Sequence, residues 1–148
     1  MNDFRLEVPI DIRFRDIDSF GHVNNAVYFT YCEIARTVYW AKLFGPRHLR
    51  TEAFIMAHAE LDYRSQAGEG DEVVVGIRVL SIGQSSFEFE YRIVEQRSQR
   101  LIAEGRSVQV TFDYRTNQKV PLPESVKDRI LSFEGVENVT IRSKSQRG

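Results

Sequence analysis

The sequence lacks the features on which several large classes of protein depend. Its single cysteine, Cys32, excludes an intramolecular disulfide and a multi-cysteine zinc site. Its 20 basic and 21 acidic residues leave a formal net charge of -1, which argues against nucleic acid as a partner. The sequence contains no G-x-S-x-G, P-loop or G-x-G-x-x-G motif, so it does not resemble a serine hydrolase, a P-loop nucleotidase or a dinucleotide-binding protein.

Long apolar runs are missing as well. The most apolar stretch, residues 26–44, is interrupted by Glu33, Arg36 and Lys42, so we expect no membrane span. The first eleven residues alternate charged with apolar side chains and do not resemble a secretory signal. These features predict a cytoplasmic protein.

What is present fits one globular domain. With 148 residues, of which 42% are hydrophobic and 28% charged, the chain can bury a core without a disulfide or a metal. No repeat or Pro/Gly-rich linker divides it. We therefore predict a single domain over residues 1–148, with a polar tail from about residue 135.

The spacing of apolar residues predicts the first half of the fold. Even positions from Leu6 to Phe14 are apolar, which is the period of a half-buried strand. Residues 25–44 are apolar on almost every face and are followed by Gly45. This pattern predicts one long helix that other parts of the protein wrap on most sides.

The second half of the sequence is rich in strand signals. Four strands are predicted, at residues 53–63, 73–80, 87–94 and 101–114, and a short helix lies within 121–133. In the first of these strands the odd positions are expected to face the core. The order predicts an α+β fold in which a mostly antiparallel sheet curls around the long helix.

The segment between the first strand and the helix carries the candidate chemistry. If the alternation persists past Phe14, Asp16 and Asp18 continue the row that faces the core. Burying a carboxylate is costly unless the group has partners or a task, which favours a site. Two alternatives remain open. Both aspartates could form turns that cap the loop, or Asp16 could pair with Arg13 or Arg15.

The start of the predicted helix supplies the complementary half of a site. With Asn24 or Asn25 as the cap, the first backbone N–H groups lack intrahelical acceptors and carry the positive end of the helix dipole, which suits an oxyanion. A nearby carboxylate could activate water or attack directly. Asp16, Asp18 and His22 match no standard metal spacing, so we expect no metal, and a mid-helix Cys32 is expected to be inert.

The motif D-x-D-x-x-G-H-V-N-N-x-x-Y at residues 16–28, followed by a long helix, resembles the 4-hydroxybenzoyl-CoA thioesterase branch of the hotdog superfamily. The resemblance implies a hotdog fold, in which a curved antiparallel sheet of about five strands wraps around one central helix. It implies acyl-CoA as substrate, Asp18 as the catalytic carboxylate and the Asn25 amide as the donor to the thioester carbonyl. No cofactor is implied, because coenzyme A is part of the substrate.

The resemblance also implies residues near the substrate and an oligomeric state. Candidates for substrate contact are His22, Asn24, Tyr28 and Ser85, although a purely structural hydrogen bond is an equal alternative for His22. The turn at residues 83–86 lacks the basic residues that relatives often place near the coenzyme A phosphates, so the nucleotide contacts stay open among several arginines. These candidates are Arg64, Arg78, Arg92 and Arg115.

Members of the branch form homodimers or homotetramers.

The same residues are similar to acyl-carrier-protein thioesterases, which have the pattern D-x-N-x-H-V-N-N. Phe20 stands where those enzymes have an asparagine, and this departure weakens the carrier-protein alternative. A hotdog protein that binds acyl thioesters without turnover is the other alternative.

Overall fold

The structure is a computed structural model that describes residues 3–45 and 54–142. The strands are β1 (Leu6–Ile10), β2 (Phe54–Tyr63), β3 (Val73–Ile82), β4 (Ser86–Glu95), β5 (Arg100–Asp113), β6 (Gln118–Lys119) and β7 (Thr140–Ile141). The α-helices are α1 (Val27–Phe44) and α2 (Glu124–Glu134), and short 3-10 turns occur at Phe14–Asp16 and Val136–Asn138.

The described strands form one seven-stranded sheet in the order β1-β3-β4-β5-β2, with β6 beside β5 and β7 beside β3. β1 runs antiparallel to β3, with Leu6 opposite Ile77 and Ile10 opposite Val73. The predicted count of about five strands is therefore low, because two strands of two residues each were too short to show a period. One of these, β7, runs parallel to β3 in a sheet expected to be antiparallel.

β1 is shorter than its sequence pattern predicts. It ends at Ile10, the side chain of Ile12 is only half-buried, and Phe14 is 97% exposed. The chain turns at this point because Asp16 accepts a hydrogen bond from the Arg13 amide at 2.9 Å, which closes the 3-10 turn. The even-numbered row therefore stops before the aspartates. Asp16 is buried as predicted and Asp18 is half-buried, but the 3-10 turn and the loop after it place them, and the expectation that the strand does so is wrong.

α1 begins two residues later than predicted and ends where the glycine predicts. Gly45 has a φ of +86° and donates its N–H to the Ala41 carbonyl, a left-handed helix end that favours glycine. The expectation of burial on nearly every face is only partly met within this chain. One side is buried through residues such as Tyr31, Ala35 and Tyr39, whereas Phe29, Ile34 and Val38 are 37–40% exposed.

β2 also differs from its predicted burial. Ala57 and Ala59, expected to face the core, are exposed, as are Met56 before them and His58 between them. β2 stands at one end of the strand order, and the middle of the strand is uncovered on both faces within the chain. Ala53, the first residue of the predicted strand, lies outside the described residues.

By its internal contacts the chain divides into two compact units. The first comprises Met1–Tyr39, Leu61–Ile77 and Tyr91–Gly105, and its buried side chains include Val8, Ile10 and Ile77. The second comprises Trp40–Glu60, Arg78–Glu90 and Arg106–Gly148.

An aromatic cluster forms the core of the second unit. Trp40 stacks on Phe54 with ring centroids 5.1 Å apart, and Phe87 meets Trp40 edge-on at 5.4 Å. Phe87 contacts Phe89 at the same distance. Edge-on and offset rings of this kind add stabilisation beyond the area that they bury. The cluster is therefore a major source of this unit's stability.

Residues 135–142, the described part of the predicted polar tail, are not a tail. Val139 is buried, and β7 extends the sheet to Ile141. The carboxylate of Glu134, at the end of α2, is buried and accepts the Val79 N–H at 2.9 Å. Within the described residues, no helix is long and apolar enough to cross a membrane.

Matched phenylalanine substitutions test this core. Phe87→Ala removes a ring that is fully buried, so we expect the free energy of unfolding to fall by about 3–5 kcal/mol. Phe14→Ala removes a ring that is almost fully exposed, and a change within about 0.5 kcal/mol is expected. Urea denaturation of both variants measures the difference, and equal losses would contradict the placement of these two rings.

Candidate functional site

The loop that carries Asp18 is closed by its own hydrogen bonds. The Asp18 amide donates to the His22 carbonyl at 2.8 Å, and the Gly21 amide donates back to the Asp18 carbonyl at 3.0 Å. Gly21 has a φ of +84°, a conformation that residues with a β-carbon rarely adopt. This tight turn fixes the backbone around the candidate carboxylate.

The two oxygens of the Asp18 carboxylate have different surroundings. Oδ1 accepts the N–H of Phe20 at 2.9 Å and the N–H of His22 at 3.3 Å. Among the described residues, none donates a hydrogen bond to Oδ2. Asp18 is half-buried, so the turn-forming alternative describes how it is held. One oxygen orients the side chain, and the other is left free for a water or a substrate.

The loop is attached to the segment before β3. The Val23 amide donates to the Ala67 carbonyl at 2.8 Å, and His22 forms an isolated bridge with Gly68. A β-carbon on Gly68 would lie 3.2 Å from the Gly21 carbonyl oxygen, so a larger residue there would crowd the loop. Close approach of the two backbones therefore holds His22 beside the turn.

The backbone N–H of Asn25, just before α1, has no acceptor among the described residues. Asn24 caps this turn, since its Oδ1 accepts the Ala26 N–H at 3.0 Å and its carbonyl accepts the Val27 N–H at 2.9 Å. Among the described residues, none accepts the N–H of Asn25. This amide lies at the positive end of the helix dipole and is available to an incoming oxygen.

The carbonyl of Asn25 is held by a residue that the sequence analysis missed. Tyr63, the last residue of β2, donates its hydroxyl to the Asn25 carbonyl oxygen at 2.9 Å. The bond orients the peptide beside the candidate donor. Nothing in the local sequence pattern marks Tyr63, because the contact joins positions 38 residues apart.

Asp16 occupies an environment unlike that of Asp18. It is 1% exposed, and its carboxylate accepts hydrogen bonds from the Tyr31 hydroxyl at 2.8 Å and from the Arg13 guanidinium at 3.0 Å. Burial raises its pKa, but the hydrogen bonds from the backbone and side chain of Arg13 and from Tyr31 outweigh burial, so the pKa lies below its usual value. Asp16 is therefore an ionised structural group, paired with Arg13 as one of the sequence-based alternatives predicts.

Tyr28 lies in the core of the first unit. It is 1% exposed, its hydroxyl accepts the Ala67 N–H at 3.0 Å, and its ring meets that of Tyr31 edge-on. Burial raises the pKa of its hydroxyl, which stays protonated. Tyr28 thus supports the segment to which the Asp18 loop is attached, and its predicted contact with substrate stays a prediction.

Ser85 belongs to the second unit, in the turn between β3 and β4. Its carbonyl accepts the Thr111 N–H at 2.8 Å. The turn itself contains no basic residue, but Arg142, the last described residue, lies beside it. The Arg142 guanidinium donates to Ser86 Oγ at 2.9 Å, and a β-carbon on Gly83 would lie only 2.9 Å from Arg142 Nη2.

The Arg142 guanidinium does not have an acceptor for every one of its hydrogen-bond donors. Its Nε is buried and has no acceptor, and among the described residues no carboxylate forms an ion pair with it. Arg142 is not among the residues predicted from sequence, because it falls in the predicted polar tail. Three of the four arginines proposed from sequence have acidic partners: Arg64 pairs with Glu104, Arg78 with Glu90 and Arg115 with Asp113, while Arg92 lies over the Phe4 ring.

The groups that other chemistries would need are not assembled in the described part of the chain. No cluster of three His, Cys, Asp or Glu side chains there is placed to hold a metal ion. Cys32 is buried, and burial raises the pKa of its thiol to about 12, so it is not a nucleophile near neutral pH.

Comparison with known proteins places the chain in a family. The family model of the Thioesterase-like superfamily matches residues 12–130. The chain therefore belongs to the thioesterase-like superfamily, a class of thioester hydrolases, and the resemblance seen in the sequence is confirmed.

Individual relatives agree with this assignment. The chain is 26% identical to a chloroplastic acyl-acyl carrier protein thioesterase of Arabidopsis thaliana, over 90% of this chain and 70% of that protein. It is 27% identical to a 1,4-dihydroxy-2-naphthoyl-CoA hydrolase of Synechococcus elongatus, over 79% of this chain and 88% of that protein.

The solved structures confirm the predicted fold class. A thioesterase from Thermus thermophilus, complexed with coenzyme A and Zn, superposes with a TM-score of 0.81 at 37% identity. The match covers 91% of this chain and 98% of that one. The fold is thus the α+β hotdog fold, with a long helix and a curved antiparallel sheet.

Replacing the buried carboxylate tests the description of Asp16. Its pKa is lowered on folding from 3.8, so its ionised form stabilises the fold above pH about 4, and this contribution is lost as the pH falls through the folded value. For Asp16→Asn we expect a loss of at least about 1.5 kcal/mol in unfolding free energy near neutral pH. The gap between wild type and variant should shrink below pH about 4. Urea denaturation at several pH values measures the gap, and a pH-independent gap would contradict this description.

Proposed function

We propose that the protein hydrolyses acyl-coenzyme A thioesters to a free acid and coenzyme A. The observation that carries the proposal is that one loop, closed by its own hydrogen bonds, contains two groups that have no hydrogen-bond partner among the described residues. These are the free Oδ2 of Asp18 and the free N–H of Asn25. Membership of the thioesterase-like superfamily supports the reaction class.

The proposed reaction uses each group for one task. The Asn25 amide donates to the thioester carbonyl, so that charge developing on this oxygen meets the positive end of α1. The Asp18 carboxylate takes a proton from water, whose oxygen attacks the carbonyl carbon. The carbon–sulfur bond then breaks, and the thiolate leaves and receives the proton. Direct attack by Asp18, followed by hydrolysis of the anhydride, is the other route to the same products.

Two observations bear on the carrier of the acyl group. The Thermus thermophilus thioesterase was solved with coenzyme A, and the Synechococcus elongatus relative is named for a CoA thioester, which supports coenzyme A. The Arabidopsis thaliana relative is named for acyl carrier protein, which makes the carrier-bound thioester the second candidate. Rates on one acyl group presented in both forms distinguish these candidates.

Replacing the candidate carboxylate tests the catalytic assignment. Asp18→Asn keeps the shape of the side chain and removes its charge, so kcat on an acyl-CoA panel should fall at least roughly a hundredfold. Asp11→Asn removes an exposed carboxylate in the same unit and is the matched control, with an unchanged rate expected.

Three results would count against this assignment. They are full activity in Asp18→Asn, an equal loss in both variants, and acyl-CoA binding by the wild type without turnover of any chain length. The last of these would identify the non-catalytic acyl-thioester binder instead.

Arg142 is our candidate for the contact with a phosphate of coenzyme A. Its Nη2 is held by Ser86 Oγ, and among the described residues no carboxylate forms an ion pair with it. A planar guanidinium without an acidic partner suits a phosphate. Arg142 lies beyond the residues that the family model matches, 12–130.

Substrates with and without the nucleotide test the role of Arg142. For Arg142→Ala we expect KM for an acyl-CoA to rise roughly tenfold, the loss of one charge-assisted contact. KM for the matching N-acetylcysteamine thioester, which lacks the nucleotide, should stay unchanged. Arg97→Ala is the control, because that side chain is 63% exposed, pairs with Glu72 and Glu95, and is not one of the candidates for the nucleotide contact. Equal KM shifts on both substrates would contradict a phosphate contact.

A homodimer or homotetramer in the cytoplasm completes the proposed function. The uncovered strand β2 and the exposed Phe29, Ile34 and Val38 on α1 support self-association, because an open strand edge and an apolar helix face are normally covered.

A further inference from the structure

We propose that Asp16 is a positioning residue for the hydrolytic site, and that it acts through its hydrogen bond with Tyr31. The proposal rests on the function proposed above, because it concerns the placement of the Asp18 carboxylate and the Asn25 amide. Asp16 itself is not expected to touch the substrate, since it is 1% exposed.

The side chain of Asp16 joins the loop to the helix. Tyr31 lies on α1, one turn after the helix begins, and its hydroxyl donates to Asp16 Oδ2 at 2.8 Å. The Tyr31 ring is 1% exposed, so the core fixes its position. The hydroxyl has a raised pKa, from burial and from the neighbouring Asp16 charge, and therefore remains a donor. A rigid helical residue thus holds the carboxylate that precedes the Asp18 turn.

The backbone of Asp16 fixes the other end of the same segment. Its carbonyl oxygen accepts the Asn24 N–H at 2.9 Å. Asp18 is two residues after Asp16, and Asn25 is one residue after Asn24. The two proposed reacting groups therefore flank one backbone hydrogen bond, and the residue that makes this bond is anchored to α1 by its side chain.

The donor set at Asp16 demands a carboxylate. Oδ2 accepts the Arg13 N–H at 2.9 Å in addition to the Tyr31 hydroxyl, and Oδ1 accepts Nε and Nη2 of Arg13 at 3.2 and 3.0 Å. An ionised carboxylate can accept all four hydrogen bonds, whereas an amide would turn an N–H toward a donor. Four donors on one buried group restrict its position far more than a single bond would. A displacement of about 1 Å at a reacting group can cost up to about a hundredfold in rate.

A stabilising role alone is the alternative, and a matched pair of tyrosine variants separates the two. Tyr31→Phe removes the hydroxyl that Asp16 accepts. Tyr91→Phe removes another buried hydroxyl of the first unit, which accepts a hydrogen bond from Arg36 at 3.0 Å. Both variants retain a full ring in the core, which keeps packing changes small.

The first measurement is the kinetics of both variants on an acyl-CoA that the wild type hydrolyses. Tyr31→Phe should lower kcat at least roughly tenfold while KM changes less than about threefold, because the reacting groups are misplaced but the binding surface is kept. Tyr91→Phe should keep kcat within about threefold of the wild type. In a double-mutant cycle, Asp16→Asn and Tyr31→Phe should be strongly non-additive, since both remove the same link.

The second measurement does not depend on activity. The Asn24 amide, which donates to Asp16, should exchange with solvent deuterium at least roughly tenfold faster in Tyr31→Phe than in Tyr91→Phe, as followed by NMR. Equal exchange in the two variants, or equal kcat values, would overturn the positioning role while leaving the proposed hydrolysis intact. If the wild type hydrolyses no thioester, the proposed function is wrong, and the positioning role in catalysis is overturned with it. This holds even if the exchange rates show that Asp16 fixes the loop.

Discussion

The bond between the buried Asp16 carboxylate and the Tyr31 hydroxyl is the constraint on which the rest of the site depends. It connects the turn after β1 with the first part of α1 at a point that water does not reach. A buried charge is costly unless donors compensate for it, and Arg13 and Tyr31 supply these donors. Because the charge is stable only in this arrangement, it selects one path for the chain between strand and helix.

The two aspartates of one motif differ in their hydrogen bonds, and the chemical roles that we propose for them follow from this difference. Both oxygens of Asp16 are saturated by donors, whereas Asp18 uses one oxygen to hold its own turn and leaves the other free. A saturated carboxylate is a poor base, because each hydrogen bond favours its ionised form. The free oxygen of Asp18 keeps the capacity to accept a proton or to attack. The proposed division of labour therefore follows from the donors around each group.

Much of the fold follows from sequence patterns that are local. The long apolar run predicts α1, and Gly45 marks its end because a left-handed residue there favours glycine. The motif at residues 16–28 predicts the family, and it is the segment that carries the candidate site. Patterns of this kind extend over a few turns or one strand and leave a direct trace in the sequence.

The features that sequence missed depend on contacts between distant parts of the chain. The alternation up to Phe14 continues past the real end of β1. The Asp16 carboxylate accepts the Arg13 N–H and turns the chain, and this contact does not change the spacing of the apolar residues. Tyr63 at Asn25, and Arg142 at Ser86, arise from pairings 38 and 56 residues apart. The odd-position pattern of β2 predicts a buried face, but the strand order leaves the strand at an edge.

The central claim is that the Asn25 amide and the Asp18 carboxylate face the same thioester. The most direct test is NMR of the Asp18→Asn variant saturated with an acyl-CoA that carries a 13C-labelled carbonyl. We expect a downfield shift of the bound carbonyl resonance, together with a downfield shift of the Asn25 amide proton, since the two groups share a hydrogen bond. An Asn25 amide resonance that stays at its ligand-free position when substrate is bound would show that this amide does not contact the thioester.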